Sequence, residues 1–75
     1  MEMGLDQLPL GVPGQVKQMK EGALCKRLGE FGLVPGTRVC CRYRTPGGSV
    51  TALEFRGTVV ALRTKDMAQV RVEVL

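Results

Sequence analysis

Apolar side chains recur at every second position along most of this chain and at helical spacing along one short stretch. Leu24, Leu28 and Phe31 stand at i, i+4 and i+7, one face of an α-helix, which predicts a helix over about residues 22–31 whose three apolar side chains plug a core. Gly32 is placed to take the left-handed conformation that ends a helix. Val34, Pro35, Gly36 and Thr37 then read as a tight turn, with proline presetting φ and glycine supplying φ > 0.

The rest of the pattern is that of strands. Over residues 37–44, Val39, Cys41 and Tyr43 alternate with Arg38, Cys40, Arg42 and Arg44, so the first set is expected to face a core and the second water. Residues 45–48 are a turn, and residues 49–55 form a further run with Leu53 and Phe55 inward. Arg56 and Gly57 are a two-residue hairpin loop into a strand over residues 58–62. Residues 63–68 suit a single helical or 3₁₀ turn, and Val70, Val72 and Val74 alternate in a terminal strand. Residues 14–20 read as the first strand, with Val16 and Met19 three apart rather than two, the spacing of a bulge. Residues 1–13 carry Leu5, Leu8, Leu10 and Val12 among prolines and glycines, a pattern too interrupted for a helix and expected as an ordered arm across one end of the sheet.

Five short strands with one short helix after the first predict a mainly β chain, a single domain over residues 1–75. Closing the sheet removes its edges, so the expected architecture is a small, partly open five-stranded barrel of the SH3-like kind. The OB-fold is the competitor, but there the helix usually lies between the third and fourth strands. At 75 residues a single core is marginal and little chain is left for a catalytic cleft. Histidine and tryptophan are absent and only Phe31, Tyr43 and Phe55 are aromatic, so the usual general base is missing, and the chain is not expected to be an enzyme. No apolar run approaches the roughly 20 residues of a spanning helix, and the N-terminus lacks a basic start and an apolar h-region. The expectation is a cytoplasmic protein without membrane insertion.

Eleven Lys and Arg against seven Asp and Glu leave a formal charge of +4, enough to permit an acidic partner without requiring one. Arg38, Arg42 and Arg44, with Cys40 between them, are expected as a basic stripe that either is solvated or meets an acidic surface. The three cysteines Cys25, Cys40 and Cys41 are odd in number and read as reduced thiols. Cys25, Cys40 and Glu30 are the only metal-ligand candidates, and with no Cys-x-x-Cys and no histidine neither a metal site within one chain nor a cofactor is expected. Leu33, Val34 and Pro35 form an apolar tip that either shapes the turn or docks a partner. A nucleic-acid-binding barrel is a further alternative, weakened by the scarcity of basic residues and by an inward Tyr43, so no nucleic-acid partner is expected. A short exposed edge strand allows a weak homo-oligomer.

Residues 27–37, Arg-Leu-Gly-Glu-Phe-Gly-Leu-Val-Pro-Gly-Thr, resemble the R-L-x-x-h-G-h-x-P-G-T signature of the ferrous iron transport protein A (FeoA) family, with h apolar. Residues 5–11 resemble the family's opening L-x-x-L-x-x-G, residues 57–63 its G-x-x-h-A-L-R, and residues 67–72 its closing A-x-x-I-x-V. Gly29 departs from the Leu, Met or Ala common in the family, at a cost to the helix of about 1 kcal/mol relative to alanine. The resemblance implies an SH3-like barrel and a cytoplasmic accessory role in bacterial ferrous iron uptake, acting by protein contact on the permease FeoB and its cytoplasmic G-protein region. The partner-binding candidates are Leu33, Val34, Pro35, Gly36 and Arg38, extended by Arg42, with the Arg56 hairpin expected to lie far from them. A metal-responsive domain using its thiols is the alternative.

Overall fold

The computed structural model describes residues 1–75. The elements are β1 (Glu2–Gly4), a 3₁₀ turn (Leu5–Gln7), β2 (Pro13–Met19), α1 (Ala23–Glu30), β3 (Arg38–Arg44), β4 (Val50–Phe55), β5 (Thr58–Arg63), α2 (Thr64–Met67) and β6 (Val70–Val74). All six strands belong to one antiparallel sheet in the order β1-β6-β2-β3-β4-β5. The sheet is not closed, since β1 and β5 are its edges. The strand count is corrected from five to six: the N-terminal arm begins with a three-residue strand that pairs with β6, Met3 opposite Val72. Leu5 and Leu8 do the work expected of the arm and are wholly buried, whereas Leu10 is exposed.

The bulge in β2 falls where the three-residue spacing put it. Val16 lies opposite Val72 and Gln18 opposite Arg71, which leaves Lys17 as the extra residue. A second bulge has no such signal. In the β3–β4 ladder Cys41 lies opposite Leu53 but Tyr43 lies opposite Ala52, so Arg42 is extra and the parity of the strand reverses beyond it.

Two expectations fall with that reversal. Tyr43 is on the outer face and 63% exposed rather than inward. Arg44 has moved to the inner face, where it lies opposite the buried Thr51 and donates from Nη2 to the carbonyls of Asp6 and Leu8, both at 3.1 Å. A charged residue on the inner face is tolerable because two backbone carbonyls of the arm meet it.

α1 packs through Leu28, with Leu24 half-buried against the core. Phe31 is not part of the plug: it lies just beyond the last helical residue and is 56% exposed. The chain reverses there in a Schellman turn, with the Gly32 amide donating to the Gly29 carbonyl at 3.0 Å and the Leu33 amide to the Leu28 carbonyl at 2.9 Å. Gly32 takes φ +96°, and the reversal carries Leu33 into the same core cluster as Leu28. Leu33 thus fills the place that the helical period assigned to Phe31.

Candidate functional site

The turn after α1 is held from several sides. The Thr37 amide donates to the Val34 carbonyl at 3.0 Å, closing the reverse turn, and Gly36 supplies φ +95°. Thr37 Oγ1 donates to the Gly32 carbonyl at 3.2 Å and accepts from the Val34 amide at 3.1 Å. β2 fixes the other side: the Gly36 amide donates to the Val16 carbonyl at 2.7 Å, the Val16 amide to the Thr37 carbonyl at 2.9 Å, and Gln15 Nε2 to the Gly36 carbonyl at 3.3 Å. Val34 (43% exposed), Pro35 and Gly36 therefore stand outward on a backbone with little freedom left to lose.

Of the candidate partner-binding residues, Leu33 is wholly buried and supports this turn from beneath. Arg38 is exposed at the start of β3, with neither a hydrogen-bond nor an ion-pair partner for its guanidinium. Arg42 is exposed too, but its Nε lies 3.1 Å from Glu54 Oε1. The expected basic stripe is thus divided into a free Arg38, a paired Arg42 and an Arg44 bound to the arm.

The sequence reading missed Arg56. It was expected far from the turn, yet it lines the same shallow depression as Val34, Pro35, Gly36 and Arg38. It also reaches the end of α1, since a Cβ placed on Gly32 would lie 3.2 Å from Arg56 Cδ and 3.5 Å from its Nε. Arg38 and Arg56 also line a neighbouring depression bounded by Pro13, Cys40 and Glu54. The hairpin accounts for the placement. Arg56 and Gly57 have φ +53° and +78°, the paired positive values of a type I′ turn, and Phe55 and Thr58 face each other across it.

The thiols are apart from this corner in character. Cys25 and Cys40 are half-buried and free. Cys41 is buried, and burial pushes its thiol pKa above the ordinary value of 9.0, against the opposing pull of the Arg44 charge. No three His, Cys, Asp or Glu residues lie together as a metal-binding group, and no helix is long and apolar enough to cross a membrane.

Among solved structures, the iron(II) transport protein A of Clostridium thermocellum superposes with a TM-score of 0.90 at 28% identity, over 97% of this chain and 46% of that one. This chain thus spans about half the length of that relative. A FeoA protein from Chlorobium tepidum gives 0.91 at 26% identity over 97% and 70%. A zinc complex of FeoA from Stenotrophomonas maltophilia, described as a procaryotic SH3 domain protein and a suggested ferrous iron transport activating factor, gives 0.85 at 30% identity over 95% and 89%. No curated protein matches the sequence. Residues 3–74 match the FeoA domain, and with nearly its whole length so matched the chain belongs to the FeoA family, linked to ferrous iron transport.

Proposed function

We propose that this chain is a non-catalytic cytoplasmic adaptor of ferrous iron uptake, one domain over residues 1–75, that modulates a FeoB-type permease by docking on its cytoplasmic G-protein region. The contact surface is the corner made by Val34, Pro35, Gly36, Arg38 and Arg56, with the exposed Phe31 beside it at the helix end. One observation carries the reading: apolar side chains stand exposed on a turn anchored by hydrogen bonds from two sides, flanked by arginines that have no partner of their own. Such a surface loses little conformational entropy on binding, and aromatic and arginine side chains are the residue types enriched at interfaces. Arg42, paired with Glu54, belongs to the rim.

Titration against the permease's cytoplasmic region, with and without guanine nucleotide, tests this. Val34→Asp and Arg38→Glu should weaken binding at least tenfold while the fold is kept, whereas Arg71→Gln on β6 should not. No binding at high micromolar protein would sink the adaptor role. The thiol alternative, with Cys25, Cys40 and Glu30 as ligands, has less behind it; stoichiometric zinc or iron retained in native mass spectrometry and lost in Cys25→Ser and Cys40→Ser would favour it.

A further inference from the structure

Arg56 breaks a local rule. The first central residue of a type I′ turn is ordinarily Asn, Asp or Gly, because a larger L side chain is strained at positive φ, and here a long charged residue takes φ +53°. Its stem lies over Gly32, where the lack of a Cβ makes room for it. Its guanidinium nevertheless has no hydrogen bond or ion pair within the chain that would offset the strain. Arg38 lines the same two depressions and is also unpartnered, and Glu54, the acid that lines the second depression, is already engaged by Arg42.

We infer that Arg38 and Arg56 form a two-guanidinium grip for side-chain carboxylates, and that the segment docking on this corner is acidic where it meets them and apolar where it meets Val34 and Pro35. This rests on the reading of the corner as the docking surface and adds the chemistry that the surface selects. Each planar guanidinium presents paired N–H donors that match a carboxylate. Backbone strain held at a position with no internal return is the signature of a functional constraint. Phosphate would also satisfy two arginines, but single-stranded nucleic acid stacks successive bases on several aromatics, and Phe31 is the one exposed aromatic beside these cations. Tyr43, though exposed, lies toward the opposite end of β3 from Arg38, roughly 16 Å along the strand.

The test uses the ¹⁵N-labelled chain and two titrants, tetraglutamate with tetraglutamine as its control, and the permease's cytoplasmic region. Tetraglutamate should shift the amides of Gly32, Gly36 and Gly57 and the Nε–H signals of Arg38 and Arg56, more weakly as salt rises. Arg38→Gln and Arg56→Asn should each weaken both titrants about tenfold, with Arg71→Gln unchanged. Arg56→Asn installs a residue the turn prefers, so a purely structural Arg56 predicts equal or higher melting temperature with binding intact. That outcome, with the permease region bound equally by both variants, overturns the grip and leaves the adaptor role standing. Tetraglutamate binding without any permease binding overturns the adaptor role and keeps the grip. Inorganic phosphate or an oligonucleotide binding the same amides more tightly than tetraglutamate also overturns it.

Discussion

Gly29 and Gly32 are three residues apart at the end of one helix, and alanine at the two positions should change stability in opposite directions. Gly29 lies inside α1, and a Cβ there meets nothing within 4 Å. Gly29→Ala removes only the entropy cost of a helical glycine and should stabilise by about 0.5–1 kcal/mol. At Gly32 the backbone is at φ +96°, and forcing alanine there costs about 1–2 kcal/mol. The added Cβ also lies 3.2 Å from Arg56 Cδ, but that is the far part of a flexible side chain that can swing aside at little cost in stability. For a domain of this size, each kcal/mol moves the melting temperature by about 4–8 °C. Urea and thermal unfolding followed by circular dichroism should therefore show Gly29→Ala melting several degrees above the parent and Gly32→Ala roughly 5–15 °C below it. In an Arg56→Asn background the Gly32→Ala loss should persist to within about 0.5 kcal/mol, since it is conformational rather than steric. Equal signs for the two alanines, or a Gly32→Ala loss that vanishes without Arg56, would refute the assignment of the Schellman turn.

Arg44→Ala removes both hydrogen bonds to the Asp6 and Leu8 carbonyls; it should cost about 2 kcal/mol and deprotect the β1 amides in hydrogen exchange before those of β2. Because the Cys41 thiol holds its proton to higher pH when folded, the unfolded chain binds fewer protons from about pH 9 upward. Stability should then fall as pH rises past 9.0, and Cys41→Ala should flatten that decline in urea titrations run from pH 8 to 10.5. In a thiol-reagent assay Cys25 and Cys40 should react in the native protein, with Cys41 following only on unfolding. β5 is an unpaired edge that presents Val59 (55% exposed) without proline or acidic protection, so any dimer seen by sedimentation at millimolar protein should be abolished by Val59→Lys and unaffected by Arg71→Gln.

Most of the elements were legible in the chain because each has a punctuating residue. Gly32, Pro35 with Gly36, Gly47 with Gly48, and Gly57 mark the places where the chain reverses, and each of these glycines has positive φ. The β2 bulge shows in the Val16–Met19 spacing because apolar residues flank it. The β3 bulge does not, since its extra residue, Arg42, is one polar residue in an arginine-rich run, and counting by twos carries Tyr43 inward and Arg44 outward, the reverse of what is found. Phe31 fails for a related reason. The helical count reached one residue past the helix, where the Schellman turn substitutes Leu33. β1 escaped because a three-residue strand is too short to show alternation. Arg56 escaped because proximity between a hairpin tip and a helix end is set by sheet twist and by a missing Cβ, neither of which is a pattern along the chain.

The charge distribution gives the corner its distinction. Four other cations of the sheet are matched: Lys17 with Glu73, Arg42 with Glu54, Arg63 with Asp66, and Arg44 with two carbonyls. Unpaired cations such as Lys65 and Arg71 stand on ordinary helix and strand backbone, which constrains their stems no more than any surface position does. Arg56 alone combines an unpartnered guanidinium with a positive-φ backbone among non-glycine residues and a close approach to another element. Exposed pairs between long side chains gain little because both ends must be ordered. At this corner the backbone under Val34–Thr37 is already fixed by β2 and Thr37, and the stem of Arg56 is laid against Gly32, so an acidic partner would order fewer bonds per contact than at Arg71 or Lys65. The same anchoring makes the effect separable from stability. Charge-removing changes at Arg38 and Arg56 alter what the surface attracts, while the hydrogen bonds that build the surface run through backbone groups, Thr37 and Gln15.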